Sequence, residues 1–97
     1  MLLMKRKNDY KSQVEFKNNA ADILKKTFGK NLKSLREKKD LSQEAMAFVS
    51  GLSRSYYAEI ETGARNPSLF NISKILAATD TSFEKLLSLS EIKKQVR

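Results

Sequence analysis

The sequence predicts an all-α fold of five helices with an N-terminal extension, and two observations predict it. From about residue 20 to residue 90, apolar residues recur at spacings of three and four, which is the period of helices that bury one face. In the same region, serines stand directly before the apolar stretches, where a hydroxyl oxygen can accept a hydrogen bond from a backbone N–H of the first turn. These serines are Ser42, Ser53, Ser68 and Ser82.

The first predicted helix runs from about Ala20 to Lys38, with Asn19 as its N-cap. Gly29 lies within this stretch and is the position at which we expect the helix to be loosened, because glycine is a poor helix former. Lysines occupy the outer face, as on the solvated side of an amphipathic helix. The apolar residues of the inner face are Ile23, Leu24, Phe28, Leu32 and Leu35.

Residues 1–19 are predicted to form an N-terminal arm or extension. The basic cluster Lys5-Arg6-Lys7 near the chain end is typical either of a mobile terminus or of an arm that contacts phosphates. Over residues 10–17 apolar and polar residues alternate, which is the period of a β-strand. Such a strand needs a partner strand from a second subunit, or it stays an extended arm packed on the body.

Residues 41–63 predict two short helices joined by a tight turn. Ser42 caps the first helix, and Gly51 ends it where the chain needs a left-handed backbone. Ser53 caps the second helix, and Gly63 closes it. A helix-turn-helix has this arrangement, because its second helix is held rigidly outward, where it can enter a DNA major groove. The side chains expected to point to one side and join the helices are Met46, Leu52, Tyr57 and Ile60.

After a loop at residues 64–68, the pattern predicts two more helices. The fourth runs from Leu69 to about Thr79, and the fifth follows a turn at Asp80 and is capped by Ser82. Aspartate is one of the few residues besides glycine that tolerate a left-handed backbone at a turn. Residues 91–97 are then a C-terminal tail.

The run from Gln43 to Leu69 resembles the Cro/repressor-like (XRE-type) helix-turn-helix family without a gap. Residues 32–36 before it and residues 75–87 after it also fit the family, so that the resemblance covers about residues 28–89. It implies a five-helix repressor-like DNA-binding domain over residues 20–90, with double-stranded DNA, read in the major groove, as the partner.

The resemblance also implies which residues face DNA. By the family's pattern the base-reading positions fall on Arg54, Ser55 and Glu59. Arg54 can donate two hydrogen bonds to guanine O6 and N7, while Glu59 can accept one from a cytosine amino group or orient Arg54. The residues expected at the DNA backbone or at the rim of the interface are Gln43, Tyr56, Thr62, Arg65 and Asn66.

A structural salt bridge between Arg36 and Glu61 follows from the same resemblance. In the family, the arginine at this spacing pairs with the glutamate that ends the recognition helix. The pairing is physically reasonable, because a planar guanidinium can hold a carboxylate bidentately across two helices. The family's pattern also assigns Tyr57 to an apolar core position.

Four apolar residues have no evident inward use, and we interpret them as a dimer interface. A two-fold axis lets two short reading helices bind one palindromic operator, which favours a homodimer. Alternatively, the same residues cover the N-terminal extension. They are Phe70, which stands where the family commonly has a polar residue, and Leu89, Ile92 and Val96.

The charge of the chain is concentrated in its first two-fifths. The net charge is +8, and residues 1–39 hold twelve Lys or Arg against four Asp or Glu, whereas residues 40–97 hold seven of each. A basic excess suits a polyanionic partner, because binding releases counterions from phosphates. A solubilising surface explains the charge equally well.

The sequence contains no cysteine and no histidine. This excludes disulfides and thiolate chemistry, and we expect no metal site, no cofactor and no enzymatic activity.

The apolar residues at positions 1–4 are too few for a signal peptide or a membrane span. We therefore expect a cytoplasmic protein.

Residues 54–69 look like the controller proteins of restriction–modification systems, which are small and bind paired palindromic sites to time endonuclease expression. Phage repressors share much of the same pattern. The leading expectation is a homodimeric, sequence-specific transcriptional regulator with a controller role. The alternative is an antitoxin-type interaction module that neutralises a toxin and autoregulates its operon.

Overall fold

The computed structural model describes the backbone of residues 7–87 and the side chains of residues 19–87. Over the described residues the chain forms five α-helices and no strand, which confirms the predicted all-α class. The helices are α1 (Lys7–Lys38), α2 (Gln43–Ser50), α3 (Arg54–Thr62), α4 (Leu69–Thr79) and α5 (Phe83–Leu87).

Helix α1 begins at Lys7, well before the predicted start near Ala20. The strand predicted over residues 10–17 is therefore wrong, because these residues belong to one continuous helix of 32 residues. Asn19 does not cap a helix, and the boundary expected at residue 19 lies inside α1. Once the packed part of a helix has formed, each added residue gains a hydrogen bond without a new nucleation cost, so the helix extends through the weak period-two pattern.

The core is built from apolar side chains of all five helices. Helix α1 contacts α3 and α5, while α2 contacts α3 and α4. Asn31 of α1 also donates a hydrogen bond to the Leu86 carbonyl oxygen of α5 at 2.8 Å. Burial of apolar surface between these helices is the main force that holds them together. The largest fully buried side chains are Leu32, Met46, Tyr57, Ile60 and Ile75, joined by the buried Leu86 of α5.

The ends of the short helices follow the predicted chemistry. At the starts of α2, α3 and α4, the serine hydroxyl accepts a hydrogen bond from the backbone N–H three residues later, at 3.0 to 3.2 Å. Helix α2 ends at Gly51 and α3 at Gly63, with φ angles of 70° and 81°. Helix α4 ends at Asp80 with a φ angle of 52°. The predicted caps of α2, α3 and α4 are thereby confirmed.

Gly29 does not loosen α1 but allows α1 and α3 to meet backbone to backbone. A Cβ atom at Gly29 would lie 2.5 Å from the carbonyl oxygen of Glu61 and closer still to that of Ile60. Both oxygens belong to the backbone of α3, so they have no side-chain torsion by which to move aside. The packing of the two helices therefore requires glycine at position 29.

We expect Gly29→Ala to destabilise the fold by about 2–3 kcal/mol, because the added methyl group forces α1 away from α3. This loss exceeds the helix-propensity gain of about 1 kcal/mol that alanine brings. Urea unfolding followed by circular dichroism measures the difference. Ser34→Ala, at an exposed position of the same helix, is the control for propensity alone. Equal or higher stability of Gly29→Ala would contradict the close approach.

Candidate nucleic-acid interface

Helices α2 and α3 form a helix-turn-helix unit. They are joined by residues 51–53, and the Leu52 N–H donates a hydrogen bond to the Ala47 carbonyl oxygen at 2.9 Å, which tightens the turn. Met46 of α2 and Tyr57 and Ile60 of α3 are fully buried between the helices and the rest of the core. Because these residues occupy the inner side of α3, its opposite side faces solvent.

An ion pair between Arg36 and Glu61 joins α1 to the end of α3. Arg36 Nε lies 2.7 Å from Glu61 Oε2, and Arg36 Nη2 lies 3.2 Å from Oε1, which makes the contact bidentate. The exposed fraction of the side chain is 12% for Arg36 and 2% for Glu61. A carboxylate so well shielded from water requires such donors, so the pair fixes the end of α3 against α1.

Gln43 and Leu41 complete this network. Gln43 Nε2 donates a hydrogen bond to Glu61 Oε1 at 2.9 Å, and Arg36 Nη1 donates one to the Leu41 carbonyl oxygen at 2.8 Å. Gln43 is the first residue of α2, so α1, α2 and α3 all meet at one carboxylate. A side-chain amide carries two N–H bonds. The contact with Glu61 therefore leaves Gln43 a second N–H that can be donated to another acceptor.

The network also determines the ionisation of its members. Burial acts to raise the pKa of Glu61, but the hydrogen bonds from Arg36 and Gln43 help to hold that pKa below its ordinary value. The hydrogen bond with Glu61 raises the pKa of Arg36 against the effect of burial. Burial raises the pKa of the Tyr57 phenol, and the nearby Glu61 carboxylate adds to the effect. Arg36 and Glu61 are consequently both charged at neutral pH.

Arg54 and Ser55 lie exposed at the first turn of α3. Within the described residues, neither side chain has a hydrogen bond or an ion pair, so their donors and acceptors are available to a ligand. Ser53 caps the helix directly before them. The backbone at this end of α3 is consequently fixed by its cap, while the side chains of its first turn are accessible to a ligand.

Glu59 is paired with Arg65 and not with Arg54. Arg65 Nε and Nη2 lie 3.0 Å and 2.7 Å from the same oxygen, Glu59 Oε1. Both side chains are about half exposed, so water screens the pair and it contributes little to stability. The alternative in which Glu59 orients Arg54 is thus not observed. The carboxylate holds the loop arginine instead.

Tyr56 contacts both Arg65 and α4. The guanidinium carbon of Arg65 stands 5.0 Å from the centre of the Tyr56 ring, in cation–π contact. Asn71 Nδ2 of α4 donates a hydrogen bond to the Tyr56 hydroxyl oxygen at 3.0 Å. Sequence reasoning did not identify Asn71, because it lies fifteen positions from Tyr56 and no short-range pattern joins them.

The two remaining predicted rim residues have different surroundings. The Thr62 hydroxyl donates a hydrogen bond to the Glu59 carbonyl oxygen of its own helix at 3.0 Å, so its proton is already engaged. Asn66 is exposed in the loop between α3 and α4. Of the two, Asn66 has the more accessible donor.

The predicted dimer residues are only partly within the described part of the chain. Phe70 is there and is 70% exposed, with Lys74 Nζ 4.9 Å from the centre of its ring. Leu89, Ile92 and Val96 lie outside the described residues. Sequence reasoning did not single out the exposed Phe48 and Val49 of α2, or Leu69 beside Phe70.

The described part of the chain contains neither a membrane-spanning helix nor a metal-binding cluster of side chains. No helix there combines the length and the apolar character needed to cross a membrane, in spite of the 32 residues of α1. No group of three or more acidic side chains there is arranged to hold a metal ion.

Helices α2 and α3 are fixed against α1, and the outer side of α3 faces solvent. This arrangement defines a helix-turn-helix DNA-binding protein. A family model described as "Helix-turn-helix" matches residues 32–86, which is more than half of the chain. The chain belongs to this family, in its XRE-type branch of transcriptional regulators, as the resemblance implied.

Within the family, the chain is similar to control proteins of restriction–modification systems. It is 48% identical over 66 residues to the control protein C.MunI of Mycoplasma sp., which covers 67% of this chain and 89% of the relative. It is 41% identical to the control protein C.BamHI of Bacillus amyloliquefaciens, over 67% of this chain and 82% of the relative. The crystal structure of the restriction–modification controller protein C.AhdI from Aeromonas hydrophila superposes with a TM-score of 0.61 at 50% identity, over 68% of this chain and 97% of that chain.

We expect Arg36→Ala to lower the free energy of unfolding by about 3–5 kcal/mol, because Glu61 is left buried without its ion-pair partner. Chemical unfolding at neutral pH measures this. Lys33→Ala, which removes an exposed charge from the same helix, is the matched control. Arg36→Lys should fall between the two, since an ammonium group cannot reproduce the bidentate contact. A midpoint for Arg36→Ala equal to that of the control would rule out a structural role for the pair.

Stability should also depend on pH through Glu61. Its pKa is lower in the folded chain than in the unfolded chain, so its contribution is complete above the ordinary value of 4.5 and is lost as pH falls through the folded value. The difference in unfolding free energy between wild type and Glu61→Gln should therefore stay constant from pH 7 to about pH 5 and shrink below that. Unfolding curves at a series of pH values test this, and a difference that stays constant in acid would contradict it.

Proposed function

We propose that this protein is a restriction–modification controller protein, a transcriptional regulator that binds a palindromic operator as a homodimer. The observation that carries the proposal is the exposed start of α3, where Arg54 and Ser55 face solvent on a helix braced at its other end by the Arg36–Glu61 pair. The similarity to control proteins over most of their length supports the controller role.

In the proposed complex, α3 lies in the major groove with its first turn deepest. Arg54 donates two hydrogen bonds to a guanine, and Ser55 donates to or accepts from the neighbouring base. Glu59, one turn later, accepts a hydrogen bond from a cytosine amino group. A carboxylate has about four lone-pair sites, so Glu59 can do this while it still holds Arg65.

A second set of residues binds the DNA backbone and fixes the position of α3. Gln43 lies at the start of α2, where the helix dipole favours a phosphate. Arg65 supplies a positive charge beside the recognition helix, and its partial neutralisation by Glu59 limits the attraction to phosphates of any sequence. The backbone and rim residues in this proposal are Gln43, Tyr56, Thr62, Arg65 and Asn66.

The proposal includes a two-fold dimer, because one α3 reaches only a few base pairs. The exposed ring of Phe70 supports an apolar contact surface. Leu89, Ile92 and Val96, which lie outside the described residues, are proposed to belong to the same surface. The two copies of α3 must then be separated by about 34 Å to enter successive major grooves.

Operator binding is an equilibrium between free and bound protein, so the proposed mechanism needs no cofactor, metal or catalytic step. The relatives are regulators and not enzymes, which supports this view. We propose a cytoplasmic location, where such a regulator meets its operator.

Selection of bound duplexes from a random pool, at a fixed and stated salt concentration, tests the function. We expect enrichment of an inverted repeat with half-site centres about one helical turn apart. An enriched site beside endonuclease and methyltransferase genes supports the controller role, whereas a site beside a toxin gene contradicts it. A pool without enrichment contradicts sequence-specific binding, and enrichment of a single asymmetric site contradicts the dimer.

Arg54 and Arg65 should differ in what they contribute to binding. Arg54→Ala should cost about 1–3 kcal/mol and relax the preference at one base pair of each half-site. Arg65→Ala should weaken all sequences more evenly and reduce the dependence of affinity on salt. Titrations of the selected site and of single-base variants at several salt concentrations measure both effects, with Lys85→Ala at an exposed position of α5 as the charge-matched control. Equal losses on all sequences for both variants would contradict the assigned roles.

A further inference from the structure

The hydroxyl group of Tyr56 is held by a residue from another helix. Asn71 Nδ2 donates a hydrogen bond to it at 3.0 Å. Tyr56 belongs to α3, whereas Asn71 lies in the first turn of α4. The contact thus joins the recognition helix to the helix that follows it, at the edge of the proposed DNA surface.

Asn71 is itself fixed in place. Its backbone N–H donates a hydrogen bond to the Ser68 hydroxyl at 3.1 Å, because Ser68 caps α4. Its side chain is half buried, in contrast to the exposed Phe70 beside it. The amide that meets Tyr56 therefore projects from a rigid, capped helix start.

This contact determines where the Tyr56 proton points. A tyrosine hydroxyl has one proton to donate and lone pairs with which to accept. Since the oxygen accepts from Asn71, the O–H bond has to point away from Asn71. Arg65 covers a face of the ring, 5.0 Å from its centre, and this restricts the ring's motion. Among the described residues the hydroxyl has no hydrogen bond other than the one it accepts from Asn71, so its proton is available to an acceptor outside the protein.

We propose that Asn71 is a positioning residue for DNA binding: it orients the Tyr56 hydroxyl so that its proton is donated to a phosphate oxygen of the DNA backbone. The acceptor is a phosphodiester oxygen, because it carries negative charge and the Arg65 guanidinium lies over the ring of the same tyrosine. The inference rests on the proposed function and adds a residue to it. Asn71 acts through Tyr56 and makes no contact with DNA of its own.

A double-mutant cycle on the selected operator duplex tests the inference. Tyr56→Phe should weaken binding by about tenfold to a hundredfold, because a hydrogen bond to a charged phosphate oxygen is lost. Asn71→Ala should weaken binding by a comparable or smaller factor. The double variant should bind as Tyr56→Phe alone does, since Asn71 has nothing left to orient. Asn71→Leu, which preserves the volume of the side chain, provides a second variant should alanine disturb α4, and thermal unfolding of each variant checks the fold.

The outcomes separate this inference from the proposed function. If wild type distinguishes the selected duplex from a scrambled one and Arg54→Ala loses that distinction, the proposed function stands, and the cycle alone decides the role of Asn71. Multiplicative losses in the double variant would overturn that role, because they mean that Asn71 acts independently of the Tyr56 hydroxyl. Unchanged affinity for both Asn71 variants would overturn it as well.

Discussion

One buried carboxylate, that of Glu61, fixes the geometry on which the reading surface depends. Its oxygens accept hydrogen bonds from Arg36 of α1 and from Gln43 at the start of α2. Removing a carboxylate from water costs several kcal/mol, and only well-placed donors offset that cost. Because the donors come from two other helices, the charge is satisfied in one relative arrangement of the three. The ion pair therefore contributes mainly to the uniqueness of that arrangement, since desolvation consumes much of its attraction.

The outer side of α3 is organised by weaker contacts than the inner side. Arg65 pairs with Glu59 in partial contact with water and lies over the ring of Tyr56. Such contacts add little to the free energy of folding. They do restrict the rotamers of long side chains before any ligand arrives, and this lowers the entropy lost on binding. The inner side of α3 thus supplies stability, whereas the contacts on its outer side pre-order the side chains that face a ligand.

The range of each interaction explains how much the sequence could predict. The serine caps and left-handed helix ends depend on residues within one turn, so local chemistry predicted them. The contact between Arg36 and Glu61 spans 25 positions, and the family resemblance, not the spacing, indicated it. The packing of Gly29 on α3 and the contact of Asn71 with Tyr56 were missed, because they depend on how separate helices approach one another. The early start of α1 was missed for a different reason: helix propagation overrode a short alternating pattern.

The contact between Gly29 of α1 and the backbone of α3 limits which changes of sequence can alter the orientation of α3. Where two backbones touch directly, there is no layer of side chains that can repack to let one helix tilt or slide against the other. We therefore expect the angle between α3 and α1 to stay the same when surface residues are substituted. Outward-facing residues of α3 can therefore be exchanged while the relative position of the two helices stays the same.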